Sequence, residues 1–200
     1  MRRIHFFLGI LLLATFALTS PAPARAQDTP RWEIFGGYTY ARASIVVSGA
    51  RFNMNGGSGS IAYNLSNWFG LVGDVGVIHQ GKVAGNPLSL TVATYDFGPR
   101  LSWRNRSHLT PFVQILIGGG HAGGTLYTTS LGTGLAPLGT SNDFNFTAGG
   151  GLDWKVSRGF SIRLAQAEYL HTQFLNAHDN SQGSFRFSTG VVFSFGKTPD

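Results

Sequence analysis

The chain has 200 residues, with 15 Lys or Arg, 9 Asp or Glu and no cysteine. This length is enough for one domain, and the lack of cysteine excludes disulfide cross-links and thiol chemistry. Three of the arginines lie in the first 26 residues, so the formal net charge falls from +6 to +3 without them, and no basic cluster interleaved with aromatic residues indicates a nucleic-acid partner.

The first 26 residues have the features of a secretory signal peptide. Arg2-Arg3 gives a positive start, Ile4–Leu18 is apolar, and Ala24-Arg25-Ala26 is a small-x-small cleavage site. A membrane anchor helix is the alternative, but the apolar segment is short and is followed by two prolines. We therefore predict a cleaved signal peptide, residues 1–26, and one mature domain, residues 27–200.

The mature segment alternates between apolar and small or polar side chains, which in an extended strand point to opposite sides of the sheet. The clearest case is the last segment, where Phe185 and Phe187 lie on one side and Arg186 and Ser188 on the other. Large aromatics opposite arginine favour a barrel with its apolar side towards lipid over a soluble sandwich.

Eight such segments occur, each about ten residues long, which is the length of a tilted membrane strand. Short and longer connections alternate, as expected of periplasmic turns and outer loops. We predict an all-β fold, an eight-stranded antiparallel up-and-down transmembrane β-barrel with both termini on the periplasmic side. The predicted strands are Arg31–Ala41, Gly57–Asn64, Trp68–His79, Ser89–Arg104, Thr110–His121, Asn142–Val156, Phe160–Thr172 and Gly183–Gly196. The longer connections are 42–56, 80–88, 122–141 and 173–182.

Residues that face each other across a hairpin must point to the same side of the sheet, which tests these face assignments. In the seventh strand, Arg163 and Gln166 share the inner side only if one extra residue is inserted near Leu164 or Ala165. We predict a β-bulge there, with Tyr169 pointing to lipid. The expected polar pairs are Asp153 with Arg163, Arg100 with Gln114, and Ser58 with Asp74.

All four tryptophans lie next to periplasmic ends of the predicted strands. Indole side chains prefer the headgroup level of a bilayer, so we expect an inner aromatic girdle. The alternative is the core of a soluble β-protein, but a core has no reason to gather its tryptophans at one end. Trp68 shares the parity of Asp74, so a position at the rim fits it better. The predicted girdle is Trp32, Trp68, Trp103 and Trp154.

Nine charged residues fall on the predicted inner side. An eight-stranded barrel is narrow enough for side chains to fill, and charges buried in it must be paired and hydrogen-bonded. A structural ionic plug and a narrow, gated solute path both remain open, because they need the same residues. The predicted lumen ionic network is Glu33, Asp74, Asp96, Arg100, Asp153, Lys155, Arg163, Glu168 and Arg186.

Catalysis would have to use histidines near the outer strand ends. None of them has a close serine and carboxylate, and no pair has the spacing of metal ligands. The run Gly149-Gly150-Gly151 lacks the Lys-Ser/Thr ending of a phosphate-binding loop. We therefore predict no enzyme activity, no metal and no cofactor. The histidines considered are His79, His121, His171 and His178.

Several short motifs are spread over nearly the whole mature segment. They are Gly57–Leu65, Trp68–Gly70, Phe97–Ser102, Thr110–Gln114, Gly149–Asp153 and Gln166–Leu170. Together they resemble the OmpA-like outer-membrane β-barrel domain of Gram-negative bacteria. The resemblance implies an eight-stranded barrel in outer-membrane lipid, and it implies fold far better than function. The barrel assembly machinery would have to read Phe193 or Phe195 as an internal signal, since neither is the last residue.

The main functional expectation is a monomeric protein of the cell outer membrane, exported through the inner membrane, with a structural or surface role and a plugged lumen. A narrow porin for small solutes is the second expectation. The third is an adhesion or interaction protein that works through its loops, although the uncharged segment 131–140 has no recognisable ligand signature.

Overall fold

A computed structural model describes residues 29–44, 51–81, 89–127, 135–172 and 182–198. The predicted signal peptide and His178 lie outside them. Each strand pairs antiparallel with its neighbours in sequence, and the first pairs with the last, so the sheet closes into a barrel and the predicted fold is confirmed. The strands are β1 Trp32–Ser44, β2 Arg51–Asn64, β3 Phe69–Gln80, β4 Ser89–Ser102, β5 Leu109–Tyr127, β6 Leu135–Ser157, β7 Phe160–Thr172 and β8 Gln182–Phe195.

The barrel has two ends, which we call the turn end and the loop end. Short turns join β2 to β3, β4 to β5 and β6 to β7 at the turn end, where β1 begins and β8 finishes. At the loop end the strands run further than predicted: Arg42 pairs with Asn53, and Tyr127 pairs with Leu135. The predicted loops 42–56 and 122–141 are therefore wrong in large part, because backbone pairing continues where the apolar alternation has stopped. In the described part of the chain no helix is long and apolar enough to span a membrane.

The strand register confirms two of the three predicted polar pairs, Asp153 with Arg163 and Arg100 with Gln114. The third is wrong by two residues, because Asp74 pairs with Ser60 rather than with Ser58. A shift of two residues keeps every side chain on the same side of the sheet. The alternation pattern therefore fixes the face but cannot fix this register.

The predicted β-bulge in β7 is present. On β6, Leu152 and Asp153 pair with Ala165 and Arg163, so Leu164 has no partner there. Leu164 and Ala165 both point outwards and are exposed, whereas Arg163 and Gln166 on either side are buried. The extra residue thus restores the polar side chains that follow it to the inside of the barrel. Tyr169 points outwards, as predicted.

Inside and outside are reversed relative to a soluble protein. Phe97 and Ile115 on the outer surface are 57% and 53% exposed, whereas Arg163 is fully buried at 0%. Charged residues are almost never fully buried unless they are paired. An apolar outer surface around a charged interior is the arrangement that a lipid environment requires.

Glycines on the inner side make room for the buried acids. A Cβ added at Gly149 would lie 2.7 Å from Cγ of Glu168, and one added at Gly118 would lie 2.6 Å from Oδ1 of Asp96. Both positions also face a backbone carbonyl oxygen of the neighbouring strand at 2.3 Å or less. Any larger residue would therefore displace the carboxylates or the strands.

Candidate functional site in the lumen

The buried charges form two groups, which we name by position. The turn-end cluster is Glu33, Arg100, Arg104, Asp153 and Arg163, and the loop-end cluster is Asp74, Asp96, Glu168 and Arg186. All of the predicted network residues except Lys155 belong to one of these clusters.

Arg163 is the best-paired residue of the turn-end cluster. Its Nε donates to Oδ1 of Asp153 at 2.7 Å, and its Nη2 donates to Oδ2 at 3.0 Å. The remaining nitrogen, Nη1, donates to Oε1 of Gln166 at 2.6 Å. A two-pronged contact of this kind fixes both the position and the plane of the guanidinium group.

Aromatic rings stack on the arginines in the same cluster. The guanidinium carbons of Arg100 and Arg163 each lie 4.5 Å from the ring centre of Phe112, and that of Arg163 also lies 4.3 Å from the ring of Phe35. Phe35 comes from β1 and Phe112 from β5, so side chains from separate walls meet around Arg163. Such contacts are strongest where water is excluded.

Glu33 joins the remaining arginines of the turn-end cluster. Its Oε1 accepts from Nη2 of Arg104 at 2.7 Å, and its Oε2 lies 3.6 Å from Nη1 of Arg100. The predicted network did not include Arg104, although the predicted fourth strand extended to this residue; in the structure β4 ends at Ser102. The sequence does indicate an inward side chain here, since Arg100, Ser102 and Arg104 lie at every second position and therefore on one side of an extended strand.

Arg186 holds the loop-end cluster together. Its Nε donates to Oε2 of Glu168 at 2.8 Å, and its Nη2 donates to Oδ1 of Asp74 at 2.9 Å. Arg186 is on β8 and Asp74 is on β3, which do not pair, so this contact crosses the lumen. The second oxygen of Asp74, Oδ2, has no hydrogen-bond partner among the described residues.

Asp96 differs from the other acids because it has no cation within 4 Å among the described residues. Its carboxylate accepts from Nδ2 of Asn145 at 2.8 and 3.0 Å and from Oγ1 of Thr147 at 3.1 Å. Its charge therefore depends on neutral donors. The expectation that every buried charge is paired is wrong for this residue.

Gln114 connects the two clusters. Its Oε1 accepts from Nε of Arg100 at 2.9 Å, and its Nε2 donates to Oε1 of Glu168 at 2.7 Å. The amide thus satisfies a cation with its oxygen and an anion with its nitrogen. The two clusters form one hydrogen-bonded unit through this side chain.

Lys155 lies at the turn end, outside both clusters. Its side chain is half-buried and lines a cavity of about 50 Å³ together with Glu33, Arg104 and Asp153. No ion pair of Lys155 occurs within the described ranges. Lys155 thus sits at the mouth of the lumen rather than in the buried network.

A family model described as "Outer membrane protein beta-barrel domain" matches residues 10–195. The chain belongs to this family. It is therefore an outer-membrane barrel, and by the usual arrangement of such barrels its turn end faces the periplasm. A comparison with curated proteins finds no match.

Solved structures of small outer-membrane barrels have the same fold. Neisserial surface protein A (NspA) is 16% identical, with 82% of this chain and 97% of that chain covered and a TM-score of 0.62. Ail, the attachment invasion locus protein of Yersinia pestis, is 16% identical, with 84% of this chain and 99% of that chain covered and a TM-score of 0.57. OprG of Pseudomonas aeruginosa is 10% identical, with 85% of this chain and 98% of that chain covered and a TM-score of 0.51. At these identities the likeness concerns the fold alone.

In this outer-membrane barrel the four tryptophans lie at the turn end, on the outer surface. Trp32 begins β1, Trp103 follows β4, and Trp154 pairs with the first residue of β5. Trp68 lies in the turn before β3 and is the most exposed of the four, at 62%. At the periplasmic surface of the bilayer, indole rings are at the level that they prefer.

Two of the predicted rim histidines contact neighbouring side chains. Nδ1 of His79 lies 2.9 Å from Oγ1 of Thr91, and the ring of His171 stacks on Tyr169 at 6.5 Å. Within the described ranges no group of three His, Asp or Glu residues could hold a metal ion.

Proposed function

We propose that this outer-membrane barrel has a structural or surface-exposed role, with a lumen closed by its own side chains. The observation that carries the proposal is the contact of Arg186 with both Asp74 and Glu168, because it links β8 to β3 across the barrel. Each of these three side chains is at most 2% exposed. A solute could pass only if these ion pairs separated inside the barrel.

The aromatic stack in the turn-end cluster supports the same proposal at a second height in the barrel. Arg163 lies between Phe35 and Phe112, with Arg100 on Phe112 as well. The interior of an eight-stranded barrel is just wide enough for side chains to fill. Removing one partner of a buried pair costs about 3–5 kcal/mol, so spontaneous opening of such a network is rare.

Conductance across a planar bilayer tests the proposal. We expect no conductance steps from the wild-type protein, and steps from a Phe112→Ala, Arg163→Ala double variant, which removes the middle of the stack. The matched control, Phe97→Ala, removes an aromatic ring from the lipid face and should leave the lumen closed. Regular steps from the wild-type protein would instead support the narrow porin.

We further propose that the protein is monomeric, is exported through the inner membrane, is inserted by the barrel assembly machinery and has no catalytic activity. The closed sheet supports the monomer, because β1 and β8 pair with each other and offer no free edge along the barrel wall. Sedimentation of the protein in detergent tests it, and a dimer at low protein concentration would contradict it.

Binding through the loop end is a second candidate function, favoured by one observation. Among the described residues, pairing between β6 and β7 extends to Asn145 and Thr172, whereas β6 continues back to Leu135 in a hairpin with β5. Within the described ranges this hairpin projects beyond β7, as a surface contact would require. Deletion of 130–141 should abolish binding to host cells and leave the barrel folded; unchanged binding would exclude this segment as the contact.

A further inference from the structure

The lipid-facing surface of β1 to β4 contains a groove of about 630 Å³. Ile34, Ile61 and Phe97 form its walls, and Gly59 and Gly73 form its floor. An added Cβ at Gly73 would have no atom within 4 Å, and one at Gly59 would meet only a carbonyl oxygen at 3.4 Å. Close packing of the strands therefore does not explain these glycines, and the space above them is open to the bilayer.

A cation lies at the periplasmic end of this groove. Nε of Arg31 donates to the hydroxyl of Tyr63 at 2.8 Å, and Nη2 donates to the same oxygen. Tyr63 lines the groove and packs against Trp32, with ring centres 4.6 Å apart. Arg31 has no carboxylate within 4 Å among the described residues. Its charge is thus held in place but is not neutralised.

We propose that the groove binds one anionic phospholipid of the periplasmic leaflet, with an acyl chain over Gly59 and Gly73 and the phosphate on Arg31. A guanidinium group binds phosphate oxygens through charge-assisted hydrogen bonds. The hydroxyl of Tyr63 accepts from Arg31, so its own proton is directed away from that residue and can reach the same phosphate. Trp32 marks the headgroup level at which the phosphate would lie.

The charge of Arg31 commits the proposal to an anionic lipid, because an apolar groove alone would take any acyl chain. The inference depends on the outer-membrane location, which the family membership gives, and is independent of whether the lumen conducts. A result against the phospholipid would leave the proposed closed lumen untouched.

Native mass spectrometry of the detergent-solubilised protein with equal amounts of phosphatidylglycerol and phosphatidylcholine tests the proposal. We expect one phosphatidylglycerol to be retained in preference. Arg31→Gln should lower its retention about tenfold, the loss expected for a charge-assisted hydrogen bond. Gly73→Ile should lower the retention of both lipids, because the new side chain fills the groove.

Two matched controls isolate the groove. Arg158→Gln is the control for Arg31→Gln and removes an exposed arginine in the turn between β6 and β7. Gly57→Ile is the control for Gly73→Ile and adds an isoleucine to the lipid face outside the groove. Both controls should retain lipid as the wild type does. Heat-modifiable mobility on gels verifies that each variant is folded. Equal retention by Arg31→Gln and Arg158→Gln, or no preference of the wild type for the anionic lipid, would overturn the proposal.

Discussion

The two clusters in the lumen carry opposite excess charge. The turn-end cluster contains three arginines and two acids, and the loop-end cluster contains three acids and one arginine, Arg186. In the first cluster two of the arginines, Arg100 and Arg163, also lie on the faces of Phe35 or Phe112. In the second, Asp96 relies on an amide and a hydroxyl.

This difference follows from the electrostatics of aromatic rings. A ring face is negative and attracts a guanidinium group, so aromatic side chains can accommodate surplus arginines. They cannot do the same for surplus carboxylates, which need N–H or O–H donors. The loop-end cluster therefore depends on one cation, whereas the turn-end cluster distributes its charge over several contacts.

The largest effect is expected for Arg186→Met. This change leaves Asp74 and Glu168 buried without a cation, next to Asp96, which already has none. We expect the free energy of unfolding in lipid vesicles, measured by tryptophan fluorescence in urea, to fall by about 3–5 kcal/mol. The exposed turn residue Arg106 provides the control, and Arg106→Met should have almost no effect. A loss from Arg186→Met no larger than that of the control would show that the loop-end cluster does not depend on this cation.

Gln114→Leu tests whether the two clusters act as one unit. The change keeps the size of the side chain but removes one hydrogen bond from Arg100 and one from Glu168. Hydrogen bonds to charged groups contribute more to stability than hydrogen bonds between neutral groups. We expect a loss of about 2 kcal/mol in the same urea measurement. Gln166→Leu is the matched change, because the side chain of Gln166 bonds only to Arg163 among the described residues, and its loss should be about half as large. Equal losses would mean that the link between the clusters adds nothing.

Phe112→Leu tests the stacking in the turn-end cluster. Leucine keeps an apolar side chain but removes the ring face that lies 4.5 Å from both Arg100 and Arg163. We expect a loss of about 1–2 kcal/mol, from the two cation–π contacts and the smaller volume. Phe97→Leu makes the same change on the lipid face, at a ring on which no arginine of the described residues stacks. If both variants lose the same stability, the stacking does not stabilise the surplus arginines.

The faces of the strands could be predicted from the sequence because lipid and lumen demand opposite side chains at every second residue. This constraint even predicts the bulge in β7, since Arg163, Gln166 and Glu168 cannot otherwise share the lumen. The extent of the strands at the loop end could not be predicted in the same way. Beyond the bilayer the alternation has no physical cause, although the backbone continues to pair.

The contacts of the buried charges between strands that do not pair could not be predicted either. Asp74 meets Arg186 across the lumen, from a strand that is distant in sequence and does not pair with β3. Hairpin register gives neighbours on adjacent strands, such as Asp153 and Arg163, but contains no information on contacts across the interior. The parity of Arg104 indicates that it faces the lumen, but its contact with Glu33 on β1 could not be predicted, because β1 and β4 do not pair.

The smallest effect is expected for Asp96→Asn. The acid has no ion pair to lose, and it adds to the surplus negative charge beside Asp74. After rotation of the Asn145 amide, the new N–H group can donate to the oxygen Oδ1 of Asn145, which has no partner in the described structure. We expect a change below about 1 kcal/mol, in either direction, in the urea measurement. Asp74→Asn is the matched change that does break an ion pair, and it should cost clearly more. Equal losses for the two variants would show that the neutral donors hold Asp96 as firmly as Arg186 holds Asp74.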